Sequence, residues 1–202
     1  MSPDDAHAEQ IAAPTPRPRW LDDVERIDVA VYAAIARTPT PTLDRAMSRL
    51  ARAADYSRLS LAAAAVLAVA GGPSGRRAAA LGLASLGVTA TVVNVGVKPI
   101  GRRRRPDRVA QQVPLARHVE MPSSRSFPSG HAASAFAFAT GVGHVLPAAA
   151  APLRALAALV GYSRVHTGVH YPGDVVAGAL MGAALAQATT RALERRRQTA
   201  SA

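Results

Sequence analysis

Residues 163–174 read SRVHTGVHYPGD and set an arginine, two histidines and an aspartate between two nearly uncharged runs. Asp174 follows His170 by four residues. A carboxylate at that spacing accepts a hydrogen bond from one imidazole nitrogen, which fixes the tautomer and leaves the other nitrogen free as a nucleophile. Arg164 adds a planar donor fork suited to phosphate oxygens. Two further clusters could serve the same chemistry. Lys98 and Arg105, in KPIGRRRRP, can place two cations around one anion. Ser129, in SFPSGHAASAF, is a good helix N-cap, and His131 then falls in the first helical turn. The amides there, Gly130 among them, face outward with partial positive charge and suit an oxyanion or phosphate. Taken singly, each residue has a plainer reading. Lys98 and Arg105 could be an ordinary basic loop end, His131 an interfacial residue and Asp174 a helix-start carboxylate.

The elements that must position these residues are helical. Five apolar runs fill much of residues 59–190: 59–72, 78–97, about 129–147, 152–162 and 175–190. The second is uncharged for twenty residues, about the length that crosses ~30 Å of hydrocarbon. Small residues recur four apart, as at Gly178 and Gly182, which suits close helix packing. A soluble protein with buried helices is the rival. The predicted fold is therefore all-α, an integral membrane helical bundle of about five transmembrane helices preceded by amphipathic helices. Pro172 suits the first turn of the last helix. Counted from Leu59, the connections after the second and fourth spans emerge on one side, so the three clusters share a membrane face.

Before the bundle, Val24, Ile27, Val31, Ala34 and Ile35 mark one face of a first helix, which TPTPT at 38–42 ends. Leu43, Met47, Leu50 and Ala51 mark a second, with Arg45, Arg49 and Arg52 opposite. That helix either lies on a membrane surface or packs on the protein. The expected organisation is a disordered tail over 1–20 that lacks signal-peptide features, interfacial helices over 21–58, the membrane-embedded unit over 59–192 and a basic tail over 193–202.

Composition bounds the function. The chain has 202 residues, one domain's worth, 49% hydrophobic and 18% charged. The net charge of +11 arises from 24 basic against 13 acidic residues, and Lys98 is the sole lysine. An arginine- and alanine-rich bias of this kind partly reflects a GC-rich genome. Such charge suits nucleic acid, anionic lipid or a phosphorylated substrate. Without cysteine, thiol catalysis, disulfides and cysteine-ligated metal are excluded.

Together the clusters read K-x6-R-P, P-S-G-H and S-R-x5-H-x3-D, in that order. The chain resembles the type 2 phosphatidic acid phosphatase superfamily, which includes bacterial acid phosphatases and vanadium haloperoxidases. Lys98, Arg105 and Pro106, then Pro128 to His131, then Ser163, Arg164, His170 and Asp174 match its three motifs without departure. The resemblance spans about 59–190 and leaves the first 58 residues without a motif. It implies hydrolysis of a phosphomonoester or pyrophosphate with no metal and no other cofactor. His170 would attack phosphorus and form a phosphohistidine, with Asp174 orienting it. His131 would protonate the leaving oxygen and then activate water. Lys98, Arg105, Arg164, the Ser129 hydroxyl and the Gly130 amide would hold the phosphoryl oxygens. His166 is outside the motif and is expected at the rim or in a structural role. Arg102, Arg103 and Arg104 either attract lipid headgroups or are solvated.

A lipid phosphate in a bacterial cell membrane is the expected substrate: phosphatidate, phosphatidylglycerophosphate, or a polyprenyl phosphate such as undecaprenyl pyrophosphate or polyprenyl-phosphoribose phosphate. The motifs read the phosphate and leave the tail open, and they leave oligomeric state open too. The rivals are a vanadate-dependent haloperoxidase and a non-enzymatic basic binder of membrane or nucleic acid. A short, membrane-like chain speaks against the first. The second needs cations but not His131, His170 and Asp174, so no nucleic-acid partner is expected. With five spans, 17 basic residues fall on the site's side and 7 on the other, which favours a cytoplasmic site.

Overall fold

The computed structural model describes residues 18–201. Most of the expected tail over 1–20 lies outside the described residues. Arg19 and Trp20 already begin a helix. Seven α-helices follow in order: α1 (Arg19–Arg37), α2 (Pro41–Ala53), α3 (Arg58–Ala70), α4 (Gly72–Thr91), α5 (Gly130–Val145), α6 (Pro147–His166) and α7 (Pro172–Ser201). No strand is present among the described residues. Each apolar run of the sequence lies within one helix, apart from short overhangs at its ends. α4 continues through a π-helical stretch, Val92–Val97, to make a segment of 26 residues. Among the described residues it is the one helix long and apolar enough to cross a membrane. A second candidate arises if α2 and α3, bent by 64° at their junction, are taken as one span. α3 has only 13 residues, so the structure does not by itself supply five spans. The basic C-terminal residues are not a separate tail but the last turns of α7.

α5 is the centre of the bundle. It packs between α4 and α7, with α6 also against it. Small residues make this possible. A Cβ on Gly182 would stand 2.1 Å from the Ala133 carbonyl oxygen, so α7 and α5 touch backbone to backbone there. Ala64, Ala78, Ala79, Phe138 and Val142 form the apolar cluster where α3, α4 and α5 meet. The packing leaves much of the larger apolar surface outside: Val66, Val69, Val95, Val176 and Leu180 are all exposed.

α1 turns its marked apolar face away from the protein. Its apolar stripe of Val24, Ile27 and Val31 faces outward, with Trp20, and Asp28, Tyr32 and Ala36 face the protein. α2 behaves differently: Met47 and Ala51 are buried, and the helix packs on α6. Its polar partner is Arg117, fully buried in the loop between α4 and α5. The guanidinium donates to Asp44 Oδ1 at 2.7 Å, to the carbonyls of Ile35, Ala36 and Thr38, and to Thr40 Oγ1. It thereby satisfies the orphan carbonyls at the end of α1 and joins them to the start of α2. His166 Nε2 meets the same Asp44 oxygen at 2.9 Å. That contact accounts for His166, which anchors α6 to α2.

Breaking one half of a buried ion pair leaves the other charge uncompensated. Arg117→Ala is therefore expected to destabilise the protein by about 3–5 kcal/mol, read as a lowered unfolding midpoint in detergent. A midpoint unchanged from wild type would mean that Arg117 does not hold the N-terminal helices.

Candidate active site

The site is built where five segments meet: the end of α4 with its π-helical extension, the loop before α5, the first turn of α5, the last turn of α6 with its connection to α7, and the turn between α2 and α3. Ser129 caps α5 by accepting from the Ala132 amide at 3.4 Å, and its own amide donates to the Asp174 carbonyl at 2.9 Å. The starts of α5 and α7 are thus tied together. Gly130 follows, and a Cβ there would lie 3.3 Å from Lys98 Nζ. Glycine lets the lysine reach the helix N-terminus. Pro172 opens α7, so the backbone reverses between Arg164 and His170, with both the Val169 and His170 amides bonded to the Arg164 carbonyl.

His170 and Asp174 are almost fully buried. His170 Nδ1 lies 3.4 Å from Asp174 Oδ2. Its Nε2 lies 3.2 Å from Arg105 Nη1. A guanidinium can only donate, so Nε2 must carry the lone pair and Nδ1 the proton. Burial pushes the imidazole pKa down to about 4, with Arg105 and Arg164 adding to that push and the Asp174 hydrogen bond opposing it. The ring is therefore neutral at physiological pH, with its basic nitrogen turned toward the cations.

Those cations are held in a frame. Arg105 donates to the Ser124 carbonyl at 2.9 Å, to the Val169 carbonyl at 3.0 Å and to Ser124 Oγ at 3.2 Å. Lys98 Nζ reaches the same Ser124 hydroxyl at 3.4 Å. Burial, then Arg105 and Arg164, lower the Lys98 pKa. Burial, then Arg164, push Arg105 down to about 10. Arg105 stays cationic at neutral pH, and both side chains sit in an environment short of anions. Arg164 Nη1 donates to the Ala51 carbonyl and to Asp55 Oδ1, each at 3.3 Å, and its buried Nε has no partner among the described residues. His131 Nε2 lies 3.0 Å from that same Asp55 oxygen.

Every residue expected from the sequence converges here, and others join them. Ser126 donates to Asp174 Oδ2 at 2.5 Å. The Tyr171 amide donates to the same oxygen at 3.0 Å. Asp174 Oδ1 accepts from Arg103 Nη1 at 3.0 Å, and Arg103 Nη2 donates to Asp28 Oδ2 at 2.6 Å. Asp28 also accepts from the Gly173 amide at 2.6 Å. Arg103 stacks over Tyr171 at 4.2 Å. Arg103 thus neither floats in solvent nor faces a headgroup. It belongs to the inner frame of Asp174. Asp28, Asp55, Ser124 and Ser126 carried no local signal, because their partners lie 19 to 145 residues away.

A model of the PAP2 superfamily matches residues 78–198, more than half the chain. The chain belongs to the PAP2 superfamily. Curated relatives include the decaprenylphosphoryl-5-phosphoribose phosphatase of Mycobacterium tuberculosis, 41% identical over 98 residues. That match covers 46% of this chain and 50% of the relative, so the chain spans about half the length of that protein. The protein of the same name from Mycolicibacterium smegmatis is 38% identical over 157 residues, 74% of this chain and 78% of the relative. Among solved structures, Aquifex aeolicus LpxE superposes with a TM-score of 0.65 at 25% identity, covering 82% of this chain and 95% of that one. The first transmembrane PAP2 type phosphatidylglycerolphosphate phosphatase from Bacillus subtilis also gives 0.65, at 28% identity, covering 86% and 88%. This superfamily chain has the all-helical fold of those neighbours.

The tautomer argument is open to measurement. In the nitrogen NMR spectrum of labelled protein, His170 is expected as the neutral Nδ1–H form at pH 7, titrating near pH 4. A midpoint near 6.5 would overturn it.

Proposed function

We propose that this chain is a metal-independent lipid phosphate phosphatase working through a phosphohistidine on His170. The observation that carries this reading is the junction of two environments at one point. A cavity of about 190 Å³ has Lys98, Gly130 and His131 at its polar end and Tyr56, Leu59 and Val160 along its side. Leu59, Ala135 and Val160 also border an apolar crevice of about 20 Å³ lined by Phe138, Leu153 and Leu156. A phosphate fits the polar end, and the apolar residues beside it suit the start of a lipid chain.

In the proposed reaction Lys98, Arg105, Arg164, the Ser129 hydroxyl and the Gly130 amide hold the phosphoryl oxygens. Charge stabilisation and positioning dominate phosphoryl transfer, so three cations and a helix N-terminus suffice as the electrostatic element. His170 Nε2 attacks phosphorus as the P–O bond to the lipid breaks, and His131 gives a proton to the departing oxygen. Water then displaces the histidine, with His131 taking the water's proton. Asp174 stays ionised and holds the ring.

The relatives' names support a polyprenyl-linked phosphoribose phosphate as the first substrate to try. The outward apolar stripe of α1 and the exposed apolar residues of α7 support an integral membrane protein of five spans in the bacterial cell membrane. In that arrangement residues 21–58 lie at the interface, 59–192 form the embedded unit, and the excess of arginine on the site's side faces the cytoplasm.

Purified protein is expected to release phosphate in EDTA from a panel of phosphatidate, phosphatidylglycerophosphate, undecaprenyl pyrophosphate and a polyprenyl-phosphoribose phosphate. His170→Ala should abolish release, and Lys98→Ala should lower kcat by about 10²–10³-fold. Undiminished release by His170→Ala would exclude the nucleophile, and dependence on added metal would exclude the mechanism.

A further inference from the structure

Asp55 stands inside the site, and nothing in the scheme above uses it. It begins the short turn Asp55–Ser57 between α2 and α3. The next two residues, Tyr56 and Ser57, both adopt left-handed backbone conformations, at φ 56° and 58°. Neither is glycine, so the turn is held in a disfavoured region, and such backbone strain clusters at functional sites. The consequence is positional: the bend aims the Asp55 carboxylate at His131 and Arg164. One oxygen, Oδ1, meets His131 Nε2 at 3.0 Å and Arg164 Nη1 at 3.3 Å. His131 makes no other side-chain hydrogen bond among the described residues, which leaves Nδ1 free. The site therefore holds two imidazole–carboxylate pairs, His170 with Asp174 and His131 with Asp55.

We propose that Asp55 is the positioning residue of the acid–base histidine, accepting the Nε2–H of His131 and presenting Nδ1 to the leaving oxygen. This rests on the phosphatase reading. In the first step the Nδ1 proton passes to the lipid oxygen as its bond to phosphorus breaks and the His170–phosphorus bond forms. In the second, Nδ1 takes a proton from water as the new P–O bond forms and the phosphohistidine bond breaks. Asp55 remains a carboxylate throughout. Its charge favours the imidazolium needed for the first step, against burial, which is the largest opposing effect, and against Arg164 and His170; Lys98 and Glu120 line the cavities on either side of the ring. The shared oxygen also offsets the Arg164 charge until a phosphoryl group arrives.

Leaving-group dependence separates this role from a merely structural one. An alkyl phosphate needs a proton at its departing oxygen, and p-nitrophenyl phosphate does not. In Asp55→Asn, kcat/KM is expected to fall about 10- to 100-fold on the lipid phosphate and less than about threefold on p-nitrophenyl phosphate. The alkaline limb of the lipid-phosphate profile should move to lower pH, because the imidazolium loses its carboxylate. Asp55→Glu, measured alongside, should recover part of the loss. Equal losses on both substrates, no loss on either, or a gain from removing a carboxylate that occupies the phosphate position would each overturn the proposal. If wild type releases no phosphate from any lipid, the phosphatase reading fails instead, which the wild-type control reveals separately.

Discussion

Crowding of positive charge at one end of an apolar bundle is the constraint on which the site depends. Lys98, Arg103, Arg105 and Arg164 come together where little solvent reaches them, and Arg164 is only 1% exposed. Burial, then mutual repulsion, disfavours the charged forms of Lys98 and Arg105, whose pKa values are lowered, whereas, against burial, Asp174 and Asp28 raise that of Arg103. Such a cluster persists only if anions are built in around it. Three carboxylates do this, and each comes from a different part of the chain: Asp28 from α1, Asp55 from the turn before α3 and Asp174 from α7. Among the described residues, the buried Nε of Arg164 is still unpartnered and the Lys98 ammonium hydrogen-bonds one serine hydroxyl. The unmet demand is for an anion with several oxygens, and a phosphate supplies that.

The N-terminal helices acquire their meaning from this electrostatic need. They carry no motif of the superfamily, and its model begins only at residue 78. Yet α1 delivers Asp28 to Arg103, which in turn holds the Asp174 oxygen that Ser126 does not. α2 is held by Arg117 and His166 through Asp44, and its end places Asp55 on Arg164 and His131. Residues far from the motifs thus set the geometry of the groups within them.

What the sequence made legible was local or periodic. Asp174 lies one helical turn beyond His170, and Ser129 precedes its helix in the cap position, so short spacing identified both. The five apolar runs likewise marked α3 to α7. The missed partners depend on tertiary placement. Arg103 sits in a run of four arginines, and only the path of the loop decides which of them turns inward. Ser126 is one of several serines between Met121 and Gly130 and becomes a ligand of Asp174 only when the loop folds over α7. Span number was less legible than helix number, because apolar composition without length does not distinguish a crossing helix from a buried one. α3, at 13 residues, shows the difficulty.

α1 shows that periodicity identifies a face but not the direction in which it turns. Counting apolar residues identifies the helix and its stripe of Val24, Ile27 and Val31. In water, exposing such a stripe while burying Asp28 is unfavourable on both counts. The structure nevertheless turns the stripe outward and Asp28 inward. Two compensations make it stable: Asp28 is paired with Arg103 and the Gly173 amide, and Tyr32 packs edge-on against Tyr171 at 5.3 Å. A third is needed for the outward stripe, and in the proposed membrane setting hydrocarbon would provide it. The same helix orientation then serves two ends, because the face left for the protein is the one that carries the carboxylate to the site. Turning the apolar stripe outward and positioning Asp174 through Arg103 are consequences of a single rotation of one helix.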